Sequence, residues 1–234
     1  MENKNNYKLY LVLEPSMIKL DLNEFLDEVI LNGVTAIQYR NKFNVESTRM
    51  EELDKINEYN IWLIQEKLKF HKENNNIDIL FFIDDDYKLA NKVGAYGVHV
   101  GIHDASPEII KKEASYLTIG YSCNTIEDCN VAKKYADYAG IGPFTSTTTK
   151  SNTREILGVE GIYKLVHELG NMPTVAIGGI DLDNAALVMS SGVTGLAVSS
   201  IICGSNKPGE ITHQLRKLVD SFYNIDDEDD EDDF

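Results

Sequence analysis

The chain alternates short β-forming runs with longer segments of helical period eight times, which leaves few folds open to it. Runs rich in Val, Ile, Leu and Tyr fall at residues 8–13, 35–40, 77–83, 97–100, 117–120, 138–141, 174–177 and 195–198. Between them apolar residues recur three and four apart, as in Phe25, Leu26, Val29 and Ile30 or Ile162, Leu165, Val166 and Leu169. That spacing gives a helix one apolar face. Gly33, Gly94, Gly170 and Gly192 stand where four of these helices are expected to end. Residues 45–76 read as one long helix with an inserted tip, closing on the Asn74-Asn75-Asn76 turn. Strand-helix repetition implies parallel strands covered by helices. Eight such units in 234 residues favour a closed (β/α)8 TIM barrel, in a single domain, over an open doubly wound sheet.

The barrel is expected over residues 1–224 and an acidic tail over 225–234. Eight consecutive acids at 226–233 carry half of the formal net charge of −16. Such a block repels itself and has no apolar surface to bury, so it is expected to be disordered and solvated. The acidic balance argues against nucleic acid or an anionic membrane as a partner. Cys123, Cys129 and Cys203 form no C-x-x-C pair and are odd in number, which suits a reducing compartment. No apolar run approaches membrane-spanning length, and the opening Met1-Glu2-Asn3-Lys4-Asn5-Asn6 is polar. A cytoplasmic protein acting on small molecules is the expectation, with self-association into a homo-oligomer left open.

Chemistry in such barrels sits at the C-terminal ends of the strands, so the residues that close each apolar run are the candidates. The second run ends in Gln38, Arg40 and Lys42, the third in Asp84 and Asp85, and the fourth in His103 and Asp104. The fifth reaches Ser122, the sixth leads to Thr147, Thr149 and Lys150, the seventh to Gly178 and Gly179, and the eighth to Ser199 and Ser200. Arg40, Lys42 and Lys150 at one mouth would repel one another unless an anion lay between them. Asp85 and Asp104 offer hard oxygen ligands, which suit Mg2+ bridging to a pyrophosphate better than they suit zinc. The turns after strands seven and eight occupy the phosphate corner of this architecture.

Blander readings compete for several of these residues. Asp86 reads as an N-cap of the following helix, and His99, between Val98 and Val100, as a satisfied inward-facing core histidine. The stretch from Thr147 to Lys150 alone is equally an ordinary polar loop. His71, His167 and His213 lie in helical segments and are given no role.

Several motifs then occur in one order: Gln38-Tyr39-Arg40-Asn41-Lys42, Phe82-Ile83-Asp84-Asp85-Asp86, Gly97-Val98-His99-Val100-Gly101 with Asp104, and Gly120-Tyr121-Ser122. Gly140-Ile141-Gly142-Pro143 follows, running on through Thr147-Thr148-Thr149-Lys150, and then Ile177-Gly178-Gly179-Ile180. From Tyr10 to the last helix this order resembles the thiamine-phosphate synthases, also called thiamine-phosphate pyrophosphorylases. The resemblance implies a transferase that joins hydroxymethylpyrimidine diphosphate to a thiazole phosphate, carboxylated or not, giving thiamine monophosphate and pyrophosphate with Mg2+ as cofactor. It implies that Gln38, Arg40, Lys42, Asp84, Ser122 and Lys150 hold the pyrimidine diphosphate. Thr147, Thr149, Gly179, Ser199 and Ser200 would hold the thiazole phosphate, with Tyr39, Asn41 and Thr148 also counted as substrate-binding. Asp85 and Asp104 would bind Mg2+, and Arg40, Lys42, Ser122 and Lys150 would carry the catalysis.

The chain departs from the family pattern at Asp84, which replaces an Asn, at Asn41, which replaces a Glu, and at Ile102, which replaces a Gln. Thr145 and Ser146 stand for an aromatic residue and a proline. A thiazole tautomerase-like enzyme and an inactive thiamine-phosphate-binding barrel are the rival readings. The tautomerase needs neither the metal nor the pyrophosphate cations, so Arg40, Lys42, Asp85, Asp104 and Lys150 together disfavour it.

Overall fold

A computed structural model describes residues 4–41, 50–146 and 154–224. Eight parallel strands pair in sequence order, and the last pairs with the first to close a barrel. They are β1 (Leu9–Leu13), β2 (Ala36–Tyr39), β3 (Leu80–Asp84), β4 (Gly97–Val100), β5 (Thr118–Cys123), β6 (Tyr138–Ile141), β7 (Thr174–Ile177) and β8 (Gly195–Val198). The helices between them are α1 (Leu22–Leu31), α2 (Met50–Asn75), α3 (Tyr87–Val93), α4 (Pro107–Glu113), α5 (Ile126–Tyr135), α6 (Gly158–Leu169) and α7 (Ala185–Met189). The short α8 (Ser200–Cys203) and the long α9 (Pro208–Asn224) follow β8. The expected single-domain TIM barrel is therefore the observed one.

Alternation along each strand separates two cores. Leu9, Leu11 and Leu13 face the helices and join the large outer cluster, with Phe25, Leu26, Ile64 and Leu215. Tyr10 and Val12 face inward and join a smaller cluster with Tyr7, Phe82, Tyr138, Val175 and Ala197. Burying each such large side chain contributes about 1.5–3 kcal/mol. The inner aromatic residues pack together in the lower barrel, beneath a cavity that opens toward the C-terminal rim. At the opposite end, Asp220 of α9 accepts from Lys8 Nζ at 3.0 Å and Arg216 Nε at 2.8 Å. Arg216 Nη1 also donates to the Gly33 carbonyl at 2.9 Å, tying the last helix across the barrel bottom.

Four strands lie where the sequence places them, and two boundary shifts matter. The third strand starts at Leu80 instead of residue 77, because Asn76 turns with φ 56° and the Ile77 N–H still bonds the His71 carbonyl at the end of α2. The fifth runs on to Cys123, with Ser122 opposite Gly140 in the β6 register, so Ser122 is a strand residue. Helix α2 is continuous to Asn75, with no tip inserted in its described length. Asp86 caps α3 as expected, accepting from the Lys88 and Leu89 N–H groups at 3.0 and 2.9 Å. The three cysteines are buried free thiols. Among the described residues no helix is long and apolar enough to cross a membrane. The acidic run at 226–233 lies outside the described residues.

Candidate active site

At the C-terminal ends of the strands opens a cavity of about 410 Å³, a size suited to a small organic ligand. Gln38, Arg40, Asp84, Asp85, Asp104, Ser122, Gly179, Ser199 and Ser200 all line it. Lys42, Thr147, Thr148, Thr149 and Lys150 lie outside the described residues. Tyr39 and Asn41 are not among the lining residues. The period of the strand is the reason: Gln38 points inward, so Tyr39 points outward into the helix layer. There the Tyr39 hydroxyl donates to Asn57 Oδ1 at 2.8 Å and accepts from Asn41 Nδ2 at 3.1 Å. Burial raises its pKa.

On the β1–β3 side the guanidinium of Arg40 is held between two carboxylates. Its Nη1 donates to Glu14 Oε2 at 2.8 Å, and its Nε faces Asp84 Oδ2 at 3.4 Å. Gln38 Nε2 donates to the other Asp84 oxygen at 2.5 Å. Both Asp84 oxygens thus have a donor within the protein, one cationic and one amide. One of the five guanidinium N–H donors makes a hydrogen bond here, and the Nε contact is an ion pair. Glu14, only 4% exposed, was not a sequence candidate, although it directly follows β1 and so occupies the position searched on the other strands.

Asp85 and Asp104 close β3 and β4. Asp85 has φ 61°, and the Asp86 N–H bonds the Asp84 carbonyl across it at 2.7 Å. This is a γ-turn with a positive central φ, a rare and strained form, and Asp is one of the few side chains that tolerate that region. The Asp85 N–H meanwhile bonds the His99 carbonyl at 2.8 Å, extending the β3–β4 ladder by one residue. Asp104 is fixed by a second small turn, its Oδ2 accepting from the Gly101 N–H at 2.8 Å. Among the described residues no three His, Cys, Asp or Glu side chains gather into a cage.

The floor of the cavity is a hydrogen-bonded row. Ser122 Oγ lies 2.9 Å from His99 Nε2, His99 Nδ1 lies 3.0 Å from the Tyr138 hydroxyl, and that lies 2.8 Å from the Tyr10 hydroxyl. Burial, followed by the neighbouring Tyr138, pushes the Tyr10 pKa well above its usual value, so Tyr10 keeps its proton. His99 is satisfied and inward-facing, as expected, and it also lines the cavity.

The β6–β8 side is built mainly from backbone and hydroxyls. Gly178 and Gly179 have φ 102° and 68°, and a Cβ on Gly179 would sit 2.3 Å from Thr145 Cγ2 and 2.8 Å from the Ser146 carbonyl. Neither conformation nor space admits a side chain there. Ser199 Oγ is buried without an oxygen or nitrogen partner. Among the described residues a polar neighbour is the Cys203 thiol, which donates to the Val12 carbonyl at 3.7 Å and leaves only a weakly accepting sulfur. Ile177 and Ile180 add an apolar surface here, and Ile102, after β4, adds another across the cavity. Arg154, a further lining residue, donates through Nη1 to Asp128 Oδ2 at 3.0 Å. It lies thirteen residues beyond β6, too far along the chain for a search of strand ends to reach.

Residues 9–202 match the family model described as thiamine monophosphate synthase. A thiamine-phosphate synthase of Pyrococcus furiosus is 36% identical over 221 residues, spanning 94% of this chain and 98% of that protein. One from Archaeoglobus fulgidus is 34% identical over 86% of this chain and 88% of its own length. Among solved structures, a thiamine phosphate pyrophosphorylase from Pyrococcus furiosus superimposes with a TM-score of 0.75, at 34% identity, over 93% of this chain and 98% of that one. With the barrel, the cavity and these likenesses in agreement, the chain belongs to the thiamine-phosphate synthase family, enzymes that couple a pyrimidine to a thiazole phosphate.

Proposed function

We propose that the β2–β5 side of the cavity holds hydroxymethylpyrimidine diphosphate, that the β7–β8 side holds the thiazole phosphate, and that the two are joined by Mg2+-assisted dissociative substitution. The observation that carries this reading is convergence. Arg40, Asp85, Asp104 and Ser122 face one cavity whose opposite wall is Gly179, Ser199 and Ser200.

The donor set fits Mg2+. Three carboxylates line the open cavity; Asp84 is engaged by Arg40 and Gln38, which leaves Asp85 and Asp104 to the ion, and among the described lining residues there is no thiol. Mg2+ is commonly held by one or two carboxylates, with water and substrate phosphate completing its shell. Asp85 and Asp104 would hold it. What the ion supplies when bound is positive charge against the oxygens of the pyrophosphate.

Charge then governs the step. As the C–O bond between the pyrimidine methylene and the diphosphate breaks, negative charge grows on the departing group. Arg40, with Lys42 and Lys150 by family resemblance, attracts that charge more strongly in the transition state than in the substrate, which is what accelerates the step. Glu14 holds Arg40 in place, so little reorganisation is needed when the charge moves. The electron-rich aminopyrimidine carries the resulting cation. The thiazole nitrogen captures it, kept close by the grip of Gly179, Ser199 and Ser200 on the phosphate. No side chain need form a covalent bond. The apolar side chains of Ile102, Ile177 and Ile180 shield the cation from water.

Pyrophosphate release with both substrates and Mg2+, compared with a reaction containing chelator, tests the reading. Release that needs both substrates and stops on chelation is the expected result. Release unaffected by chelation would remove the metal from the proposal, and intact binding without release would favour an inactive barrel.

A further inference from the structure

We infer that Asn124, which lies outside the cavity, is a positioning residue for the anion-binding turn at Gly178 and Gly179, acting through the main chain of residues 142–145. The inference rests on the proposed function only in taking the ligand of that turn to be a phosphate.

Asn124 directly follows β5 and is absent from the cavity lining. Its amide carries two N–H donors, and Nδ2 has two carbonyls to receive them, Gly142 at 3.0 Å and Glu155 at 2.9 Å. Gly142 directly follows β6 and Glu155 stands three residues before α6, so one nitrogen ties together both ends of the connection between them. The same residue is fixed from its other side by the capping box of α5. Asp128 Oδ2 accepts from the Asn124 N–H at 2.9 Å, from the Thr125 N–H at 3.1 Å and from Arg154 Nη1 at 3.0 Å.

From Gly142 the route to the turn is short and tightly packed. The Phe144 N–H bonds the Ile177 carbonyl at 2.9 Å, and the Thr145 N–H bonds the Gly178 carbonyl at 3.1 Å. On the other edge, the Leu157 and Gly158 N–H groups bond the Pro143 and Phe144 carbonyls at 2.9 and 3.0 Å. A Cβ on Gly178 would lie 2.6 Å from Pro143 Cβ, and one on Gly142 would lie 2.2 Å from the Ile177 carbonyl oxygen. Chains packed this closely transmit a displacement instead of absorbing it, so a shift at residues 142–145 must be matched at Gly178 and Gly179.

The chemistry at Asn124 requires an amide. A carboxylate of the same size would set an oxygen against two carbonyl oxygens, and a hydroxyl would have one proton for two acceptors.

The test compares Asn124→Ala and the isosteric Asn124→Asp with Thr125→Ala, which breaks the capping box but leaves both carbonyls their donor. Backbone amide NMR of the ligand-free proteins is read at Gly178 and Gly179. Both Asn124 variants should move these two signals, whereas Thr125→Ala should lower the melting temperature and leave them in place. With both substrates and Mg2+, the Asn124 variants should raise the KM for the thiazole phosphate about 3- to 10-fold, with kcat and the KM for the pyrimidine diphosphate nearly unchanged. If one Asn124 variant fails to fold, the other is read. Unmoved Gly178 and Gly179 signals, or equal movement in Thr125→Ala, overturn the inference whatever the activity. A loss shared by kcat and both KM values also overturns it, because that is the mark of a merely structural residue. Failure of turnover in the wild-type enzyme would instead count against the proposed function, and the amide signals would still decide the role of Asn124.

Discussion

The two sides of the cavity handle negative charge by different means. From β1 to β5 the wall carries the acidic and basic side chains Arg40, Asp84, Asp85 and Asp104, with Glu14 pairing Arg40, fixed by ion pairs and tight turns. From β7 to β8 the described wall is neutral, made of a glycine turn and two serines. Under the proposed function the contrast matches what each substrate is asked to do. A diphosphate that leaves gains charge during the reaction, and only groups whose attraction grows with that charge lower the barrier. A phosphate that serves as a handle keeps its charge, so short neutral donors are sufficient.

Substitutions on the two walls should therefore separate into different kinetic classes. The largest effect is expected from Asp104→Ala, which should lower kcat about 10²- to 10³-fold while leaving the KM for the thiazole phosphate almost unchanged. A selective rise in that KM instead would erase the distinction between the walls. Gly179→Ala comes next, since it forces a side chain into a φ of 68° and against Thr145. It should raise the KM for the thiazole phosphate more than 10-fold and destabilise the fold by about 1–3 kcal/mol, read by steady-state kinetics and denaturant melts. Ser199→Ala sharpens the same point, because its hydroxyl lacks a strong partner among the described residues. About 10-fold weaker phosphate binding with little change in stability is expected.

The smallest effect lies far from both walls. Hydrogen bonds from Lys8 and Arg216 lower the Asp220 pKa despite the opposing effect of its partial burial. A lowered folded-state pKa means that this stability is present above the ordinary Asp range and is lost as pH falls through the folded value. Asp220→Asn should flatten the acid limb of thermal stability without changing kcat. Any effect on either substrate would show that the barrel bottom and the mouth are coupled.

The legibility of the two walls in the sequence also differed. Strand ends that finish in charged or hydroxyl residues advertised Gln38, Arg40, Asp84, Asp85, Asp104 and Ser122, since an apolar run broken by such residues has few structural excuses. Glu14 carries the same signal at the end of β1. Tyr10 and Tyr138 were hidden for another reason. An aromatic residue in a short apolar strand suits either face, and only closure of the barrel decides which tyrosines meet inside. Tyr39 shows the converse: it sits in the right motif, but period-two geometry turns it to the outside. Arg154 is brought to the rim by tertiary folding alone. The 42–49 and 147–153 segments, which include Lys42 and Lys150, lie outside the described residues.

The backbone at Asp85 carries one more consequence. Glycine relaxes in a left-handed turn where aspartate does not, with a difference on the order of 1 kcal/mol. Asp85→Gly should accordingly melt at a higher temperature than the natural chain while losing its Mg2+-dependent activity. A population selected only for heat resistance would drift toward that variant, and under the proposed function the aspartate would trade durability for turnover.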